Sequence, residues 1–455
     1  MKKLVLIIAA AVMLISAGAE TADNAASLED TLNEIEKARQ ALQYGLESEI
    51  LEVTGHIDKQ DFETLQEDFI RLFTETASSA VREGLFRLYQ KYSNPSLTEQ
   101  AVKLLEDYGN RQRTLIKAVL SYLVAVKPAF SSEMNEALRK IITEDTAEYG
   151  TEAVAVLGEI GGDDEASFLA DYFETFTVED EKKDLILKQA IASALEKLHS
   201  EHTRDFLIER AKDENENAYV RASAVAGLAQ MGNADAIPLL VEFFGQTEPL
   251  LREAAIRGAA DFDTEEVRQL ILQGFKDSYY KVRLAALQTV QKTKRQEAVP
   301  YVLYRAKYDP MEAVRLSAVE TLAILNTAEG NAWLSETFCD AKKGEKLRTA
   351  ILGAAFKYNF SVIAGDLDKV VLPAVTDNKL KKLRYELGKE IAKNENTATA
   401  HICKAFLESN DVLTKSIGLD MFKTNRYAEV RSSVEAIAQD EKQGTLHRRA
   451  RQLLE

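Results

Sequence analysis

Five histidines are the first residues to weigh for chemistry, because imidazole binds metal ions and transfers protons near neutral pH. Only His199 and His202 lie close together in the sequence. On a helix this spacing would place both rings on one face, where they could share a metal ion. They follow Leu198 in a polar stretch without a neighbouring cysteine. The sequence therefore favours a solvated turn over a metal site.

Motifs that carry catalysis are missing from the sequence. It has no glycine-rich phosphate loop and no Gly-x-Ser-x-Gly elbow to present a nucleophile. The run Gly161-Gly162-Asp163-Asp164 is acidic, but a calcium loop needs its oxygens in a spaced series, so we interpret the run as a turn between helices. We predict a protein that is not an enzyme, with no catalytic residue, no cofactor and no metal.

Composition narrows the class of protein that could position any such residue. The chain has 455 residues, 46% apolar and 29% charged, with two cysteines and seven prolines. This mixture excludes a disordered chain and a disulfide scaffold, and it leaves room for long helices. No apolar run reaches the roughly 18–20 residues of a membrane-spanning helix. The net charge of −16 argues against nucleic acid or an anionic membrane as the main partner.

The charge is distributed unevenly along the chain. Residues 20–250 contain 45 acidic and 22 basic residues, whereas residues 251–455 contain 28 acidic and 33 basic residues. The first stretch therefore carries a net charge of −23 and the second +5. Such charge either keeps a surface solvated or gives the molecule a polarity that orients a partner or stacks copies head to tail.

Residues 1–19 have the features of a cleavable signal peptide. Two lysines precede an apolar stretch of about 14 residues, which is too short for a membrane anchor. Ala17 and Ala19 then supply the small-x-small pattern that signal peptidase reads. We predict cleavage after Ala19 and a periplasmic or secreted mature protein without a transmembrane segment. The alternative interpretation is a buried N-terminal helix.

Residues 20–55 are predicted to form a separate N-terminal element. From Ala26 to Val53, leucine and isoleucine recur at helical spacing between charged residues. This pattern predicts one amphipathic helix of about 25 residues. Two roles remain open for it: a cap over the first repeat of the following domain, or a coiled-coil or docking helix for a partner.

One helix pattern recurs along the rest of the chain. It consists of an apolar residue and a base, then alanine three positions after the base and an apolar residue at the seventh. From Lys188 the successive bases are spaced by 33, 31, 31, 32, 33, 36, 31 and 33 residues. The clearest copies are centred on Arg221, Arg252, Arg283 and Arg315.

A period of this length holds two helices and two short turns. A single helix pair cannot bury its apolar faces, but stacked pairs can. We therefore predict an all-α fold, an α-solenoid of about ten to twelve stacked helix pairs over residues 56–455. The best-defined repeats lie at about residues 201–340.

The repeats resemble HEAT repeats of the short bacterial type, also called phycobilisome-lyase-like. The resemblance rests on an acid or amide placed six residues before the base of each Val-Arg pair. In that family these side chains form a hydrogen-bonded ladder along an armadillo-like superhelix. The resemblance therefore assigns this structural role to Asn215, Arg221, Asp277, Arg283, Asp309 and Arg315.

Cys339 and Cys403 lie two repeats apart in this arrangement. Neighbouring helices pack 8–10 Å apart, so two repeats separate the two thiols by roughly 20 Å. A disulfide needs Cα atoms within about 7 Å. We predict two free, mostly buried thiols, with an intermolecular bridge as the remaining alternative.

Surface recognition is the function that these features favour. Solenoids offer long surfaces without an enclosed pocket, and Tyr301, Tyr304 and Trp333 are a possible interaction surface because tyrosine and tryptophan anchor interfaces. We predict a non-catalytic scaffold or assembly factor of the bacterial envelope that binds other proteins and no nucleic acid. Two alternatives remain: a lyase-like or cofactor-handling protein, as the name of the repeats implies, and a self-assembling structural element.

Overall fold

The computed structural model of the chain describes residues 34–232 and 234–454. Within these residues all regular elements are helices, and no strand is present. The predicted signal peptide, its cleavage site and the first part of the N-terminal element lie outside the described residues. Contacts divide the chain into a first unit, Met1–Arg210, and a second unit, Ala211–Glu455.

The first unit contains three N-terminal helices followed by four helix pairs. Within each pair the first helix packs on the second, and the second helices of successive pairs also contact each other. The helices are α1 (34–44), α2 (Glu47–His56) and α3 (Lys59–Thr64), then the pairs α4 (Gln66–Glu75) and α5 (Ser79–Lys91), α6 (Thr98–Glu106) and α7 (Arg113–Val126), α8 (Ser132–Glu144) and α9 (Thr151–Ile160), and α10 (Asp163–Thr175) and α11 (Glu181–Leu198).

The N-terminal helix that we predicted as continuous is broken at residues 45 and 46, so that prediction was wrong over its described part. A Cβ atom on Gly45 would lie 2.5 Å from the carbonyl oxygen of Ala41. Leu46 is extended, and its N–H donates to the Glu49 carboxylate at 2.7 Å, which starts α2 afresh. Helix α2 packs against α5, where Ser78 donates to Glu47.

The second unit contains seven further helix pairs, preceded by a pair whose first helix crosses the boundary between the units. The helices are α12 (Arg204–Lys212) and α13 (Ala218–Gln230), α14 (Ala236–Phe244) and α15 (Pro249–Gly258), α16 (Glu265–Gly274) and α17 (Tyr280–Thr293), α18 (Val299–Tyr308) and α19 (Glu312–Leu325), α20 (Ala328–Cys339) and α21 (Glu345–Tyr358), the short α22 (Ser361–Ala364), α23 (Leu367–Thr376) and α24 (Lys381–Ala392), α25 (Ala400–Leu407) and α26 (Val412–Asn425), and α27 (Arg431–Gln439) and α28 (Thr445–Leu454).

Twelve helix pairs are thus described, and the predicted all-α solenoid of ten to twelve pairs is confirmed. The recurring base lies in the second helix of each pair from α11 onward, as Arg283 does in α17. The period in the sequence is therefore the period of the helix pairs.

The two helices of a pair bury different parts of their surface. In α18, the apolar residues Val299, Val302, Leu303 and Ala306 follow helical spacing and form one buried face. Helix α19 is buried around most of its circumference, because it also packs between α17 and α21. Small residues allow this close packing: a Cβ atom on Gly158 of α9 would lie 2.7 Å from Ala194 of α11.

Several second helices end in a left-handed residue that is not glycine. This conformation closes the last turn through a backbone hydrogen bond to the carbonyl oxygen four residues back, as Lys294 does to Val290 at 2.7 Å. The turn then redirects the chain into the next first helix. The left-handed residues at these ends are Lys127, His199, Lys294, Asn326 and Arg426.

Candidate functional site

Arg283 and Asp309, two residues of the predicted ladder, bind each other. Nε and Nη2 of Arg283 donate to the two carboxylate oxygens of Asp309 at 2.7 and 2.8 Å, and both side chains are buried. Nη1 of Arg283 donates to the carbonyl oxygens of Asp277 and Ser278, both at 3.0 Å. The guanidinium group thus holds the turn of its own pair and, through its Nε–Nη2 edge, the turn of the next pair.

A second contact of the same kind joins Asp277 to Arg252. We call each such bidentate Arg–Asp contact a rung of the ladder. Nε and Nη2 of Arg252 donate to Asp277 at 2.7 and 3.0 Å, while Nη1 donates to the carbonyl oxygens of Gln246 and Thr247. Arg252 belongs to the repeat pattern in the sequence, but the resemblance did not assign it to the ladder. Its position one period before Arg283 was the signal that could have done so.

The paired carboxylates of these rungs are held in the charged form. Burial opposes the charge of Asp309, but hydrogen bonds from Arg283, the backbone N–H of Met311 and Arg305 outweigh burial, so the pKa of Asp309 is lowered. The pKa of Asp277 is lowered in the same way by Arg252 and the backbone N–H of Tyr279, again against burial. Each rung is thus a complete ion pair, which is buried at Arg283–Asp309 and partly buried at Arg252–Asp277.

Arg315 forms only half of a rung. Nη1 donates to the carbonyl oxygens of Asp309 and Pro310 at 2.7 and 3.3 Å, but no carboxylate in the described chain accepts a hydrogen bond from Arg315. Lys342 holds the place that Asp277 and Asp309 take before their markers, and a second cation cannot complete the rung.

Asn215 does not act as the acid of a rung, contrary to the prediction from the resemblance. It is exposed, and its backbone N–H donates to the Asp213 carboxylate. Arg221 is buried and turns back, with Nε donating to the carbonyl oxygen of Ala211 at 3.1 Å. Arg348 makes the equivalent contact, to the carbonyl oxygen ten residues before it. For both arginines the residue six positions before the next marker base, Gln246 or Asn378, is not an acid.

The predicted aromatic surface is only partly exposed. Tyr304 is 54% exposed on α18, whereas Tyr301 is half-buried, with its ring centroid 5.9 Å from that of Phe275. Trp333 is half-buried on α20, and the ring pairs found in the described residues do not include it. The structure therefore does not bring Trp333 together with the tyrosines.

Tyr308 completes the exposed surface and was missed in the sequence analysis. It is 66% exposed, and its ring centroid lies 5.2 Å from that of Tyr304. The guanidinium of Arg305 lies 4.8 Å from the centroid of Tyr304, and Lys307 is exposed. The four-residue spacing of the two tyrosines, on the face opposite the buried one, was the available signal. We call Tyr304 and Tyr308 the tyrosine surface.

The two neighbouring histidines do not lie on one helix. His199 is the left-handed residue that ends α11, and His202 lies in the following 3₁₀ turn Glu201–Thr203. Both side chains are exposed. No group of three potential metal ligands occurs in the part of the chain that the structure describes.

The cysteines differ from each other, which corrects the prediction of two mostly buried thiols. Cys403 is buried, and burial raises its pKa to about 12. Cys339, the last residue of α20, is exposed. Both thiols are free, as predicted.

None of the described helices is long and apolar enough to span a bilayer. The chain has structural neighbours of low similarity among solved proteins. Kap121p is 12% identical with a TM-score of 0.38, over 99% of this chain and 56% of that one. The karyopherin Kap121p bound to the extreme C-terminus of the phosphatase Cdc14p is 12% identical with a TM-score of 0.40, over 91% and 52%.

An engineered protein is 15% identical with a TM-score of 0.32, over 79% of this chain and 98% of that one. This chain spans about half the length of the karyopherin chains that it matches. A comparison with curated proteins gives no match.

The family comparison covers nearly all described residues. The model of the spirochaete HEAT repeat protein family matches residues 42–453, from the end of α1 to the end of α28. The match includes both units and the two complete Arg–Asp rungs. The chain therefore belongs to the spirochaete HEAT repeat protein family.

Proposed function

We propose that this protein is a non-catalytic scaffold that binds another protein through the tyrosine surface. The exposed pair Tyr304 and Tyr308 is the observation that carries the proposal, because large aromatic side chains exposed together are typical of interface anchors. The pair projects from α18, whose C-terminal end is tied to α17 by the buried ion pair of Asp309 with Arg283, while Arg305 of α18 also binds Asp309. A rigid support of this kind lowers the entropy that binding must offset.

The charges around the tyrosine surface favour an acidic partner. Arg305 and Lys307 lie on the same helix as the tyrosines, and the ammonium group of Lys276 lies 5.5 Å from the ring of Tyr301. A partner segment with carboxylates beside an apolar or aromatic side chain would match this combination.

We also propose that the protein is exported to the periplasm or beyond, on the basis of the predicted signal peptide. N-terminal sequencing of the protein purified from its own cells is expected to start at Glu20. A protein that retains Met1 would overturn this proposal without affecting the binding proposal.

Site-specific crosslinking in intact cells tests the binding proposal. A photo-crosslinking phenylalanine analogue is placed at Tyr308 or, as a matched control, at Tyr219, which is 42% exposed on α13. We expect position 308 to capture one partner protein reproducibly and position 219 to capture none of it. Equal capture at both positions would contradict the proposal.

A second variant separates recognition from chance proximity. With the analogue at position 308, Tyr304→Ser is expected to reduce capture of the same partner on the order of tenfold, as loss of an interface anchor does. Tyr358→Ser, at a tyrosine that is 39% exposed on α21, serves as the control and should leave capture unchanged.

The charge distribution favours one further candidate function, head-to-tail self-association. The acidic stretch 20–250 of one copy could attract the more basic stretch 251–455 of another. Such an assembly should dissociate between about 0.02 and 0.5 M salt, because screening shortens the range of the attraction. Sedimentation of a monomer at both salt concentrations would exclude it.

A further inference from the structure

Arg384 is another buried arginine of the repeat pattern that is held by main-chain carbonyl oxygens. It lies at the equivalent position of α24, is 1% exposed, and its Nη1 donates to the carbonyl oxygens of Ala374 and Val375 at 3.4 and 2.7 Å. Nη1 of Arg252 and of Arg283 instead holds the carbonyl oxygens five and six residues before it, so Arg384 reaches further back, to the carbonyl ten residues before it that Arg221 and Arg348 also bind. The guanidinium groups of Arg252, Arg283 and Arg384 are thus all anchored on carbonyl oxygens before their own helix, but at different positions.

The Nε–Nη2 edge of the Arg384 guanidinium lacks the carboxylate that Arg252 and Arg283 bind at this edge. In Arg252 and Arg283, Nε and Nη2 bind a carboxylate with two hydrogen bonds. In Arg384, Nε and Nη2 are both buried and neither has a hydrogen-bond partner in the described structure. Burying a charged hydrogen-bond donor without an acceptor costs free energy. The Nε–Nη2 edge of Arg384 is therefore suited to bind a carboxylate.

The sequence explains why this edge is unfilled. Asp309 lies six residues before the next marker base, Arg315, and the corresponding residue before Lys415 is Ser409. Ser409 keeps the local turn, since its hydroxyl accepts the N–H of Asp411 at 3.2 Å, just as Asp309 accepts the N–H of Met311. It has no carboxylate to offer Arg384.

Asp411 is close to Arg384 but is engaged elsewhere. Its nearest carboxylate oxygen lies 3.8 Å from Nη2 of Arg384. Asp411 caps α26 by accepting from Thr414, and it also binds the hydroxyl of Tyr385 at 2.7 Å and the ammonium of Lys381 at 2.9 Å. Burial opposes its charge, but these contacts outweigh burial and lower the pKa of Asp411.

A cavity opens beside this edge. It has a volume of about 520 Å³, and its lining includes Arg384 and Ser409, the acidic Glu408 and Asp411, and the apolar Val375 and Ala405. The next residues of the chain, Val412 and Leu413, are 66% and 46% exposed. The cavity therefore combines the Arg384 guanidinium with a wall that is partly apolar and partly polar or acidic, and apolar side chains are exposed next to it.

We propose that this cavity is a binding site for a carboxylate group from outside the chain, which occupies the Nε–Nη2 edge of Arg384 in the place that Asp309 takes on Arg283. Free small carboxylates and the chain-terminal carboxylate of a protein share this chemistry. The site is separate from the tyrosine surface, so the two proposals can fail independently.

Nitrogen-15 NMR of the arginine Nε–Hε groups in the full mature chain tests the proposal. The signal of Arg384 is the one missing from the Arg384→Gln spectrum. The probes are sodium acetate and the tripeptide acetyl-Gly-Gly-Leu with a free or an amidated C terminus. We expect a saturable shift of the Arg384 signal with the free-acid probes, while the Arg283 signal stays constant because its edge is already filled.

The probes also distinguish the two sources of the carboxylate. A protein terminus is indicated if the free-acid tripeptide binds at least about tenfold more tightly than acetate, because its leucine then packs on the apolar part of the wall. Equal affinities indicate a small carboxylate. An equal response to the amidated tripeptide, or no response to any probe, would overturn the proposal.

Ser409→Asp is the decisive variant, since it keeps Arg384 and restores the aspartate of the other rungs. The new carboxylate is expected to fill the edge, to abolish the response to acetate and to the tripeptide, and to leave the fold intact. Ser433→Asp, at the cavity on the neighbouring pair, is a charge-matched control. If Ser409→Asp still binds the probes as the unmodified chain does, or if a crystal structure in acetate shows water only at the edge, the proposal is wrong.

Discussion

The two units differ in the side chains that bind their turns, although Arg82 of the first unit also donates to the carbonyl oxygen of Thr76, at 2.7 Å. In the first unit, tyrosine hydroxyls bind the carbonyl oxygens of turns: Tyr122 donates to Asn94 at 2.9 Å, and Tyr172 donates to Ile142 at 2.9 Å. The hydroxyl of Tyr122 also accepts the N–H of Leu97 at 3.2 Å. These contacts are neutral, and burial raises the pKa of Tyr122 and Tyr172, so they stay protonated across the physiological range.

In the second unit the same task falls mainly to arginine. Nη1 of Arg252 and of Arg283 binds turn carbonyls, and the remaining edge binds a carboxylate of the next pair. Near its C-terminal end this unit also uses tyrosine, since the hydroxyl of Tyr427 donates to the carbonyl of Asn396 at 3.2 Å.

The comparison shows that a phenol is sufficient within one turn, whereas a guanidinium can also link one turn to the next. The guanidinium stabilises the fold only when its carboxylate partner is present. A tyrosine hydroxyl that loses a partner leaves one neutral group unsatisfied, but an arginine that loses its carboxylate leaves a buried charge.

Removing one acid of a rung should give the largest effect. Asp309→Ala leaves Arg283 buried without its carboxylate, so we expect a loss of about 3–5 kcal/mol in the free energy of unfolding. Fluorescence of Trp333, the only tryptophan, reports on the second unit during urea denaturation. Asp263→Ala is the control: Asp263 binds Arg295 but is 71% exposed, and its loss should barely move the urea midpoint. A similar shift in both variants would contradict the importance of burial.

Removing a hydroxyl from the first unit should cost less. Tyr122→Phe leaves the N–H of Leu97 and the carbonyl of Asn94 without this partner, and we expect a loss of about 1–3 kcal/mol. Hydrogen exchange of first-unit peptides measures it, with Tyr44→Phe at an exposed position as the control. A loss larger than that of Asp309→Ala would reverse the comparison.

Lowering the pH should remove the contribution of the Arg283–Asp309 rung to the free energy of unfolding. It should not change the contribution of the Tyr122 hydroxyl. The pKa of Asp309 is lowered in the folded state, so its contribution is complete above the unfolded value of about 3.9 and disappears as the pH falls through the folded value. The difference in unfolding free energy between the unmodified chain and Asp309→Asn should therefore shrink from pH 7 to pH 3. The difference for Tyr122→Phe should remain constant, and a parallel decrease would contradict this assignment.

The smallest effect is expected at the tyrosine surface. Tyr308→Ser should change the free energy of unfolding by less than about 0.5 kcal/mol, because the side chain is mostly exposed. Urea denaturation with Trp333 fluorescence measures this change. A large loss of stability would assign Tyr308 to the fold and weaken its proposed role in binding.

Much of the architecture could be predicted from the sequence because the recurring arginine and alanine positions are local to one helix. The site was less predictable. Tyr308 was overlooked and Trp333 was grouped with Tyr304, since sequence spacing does not show which residues of neighbouring helices share a surface. The exposure of Cys339 depends on where α20 ends, and the break at Gly45 depends on a capping contact that a leucine pattern does not show.

By itself the sequence determined the repeat. Each helix pair has about the same length, so the buried positions recur once per period. Only the tertiary structure decided which arginine meets which carboxylate. Asp309 lies two residues before the cap of its helix and reaches Arg283, whereas Asp411 is itself the cap of α26 and is held by Thr414. A shift of two residues relative to a helix end redirects the carboxylate, and that geometry exists only once the helices are packed.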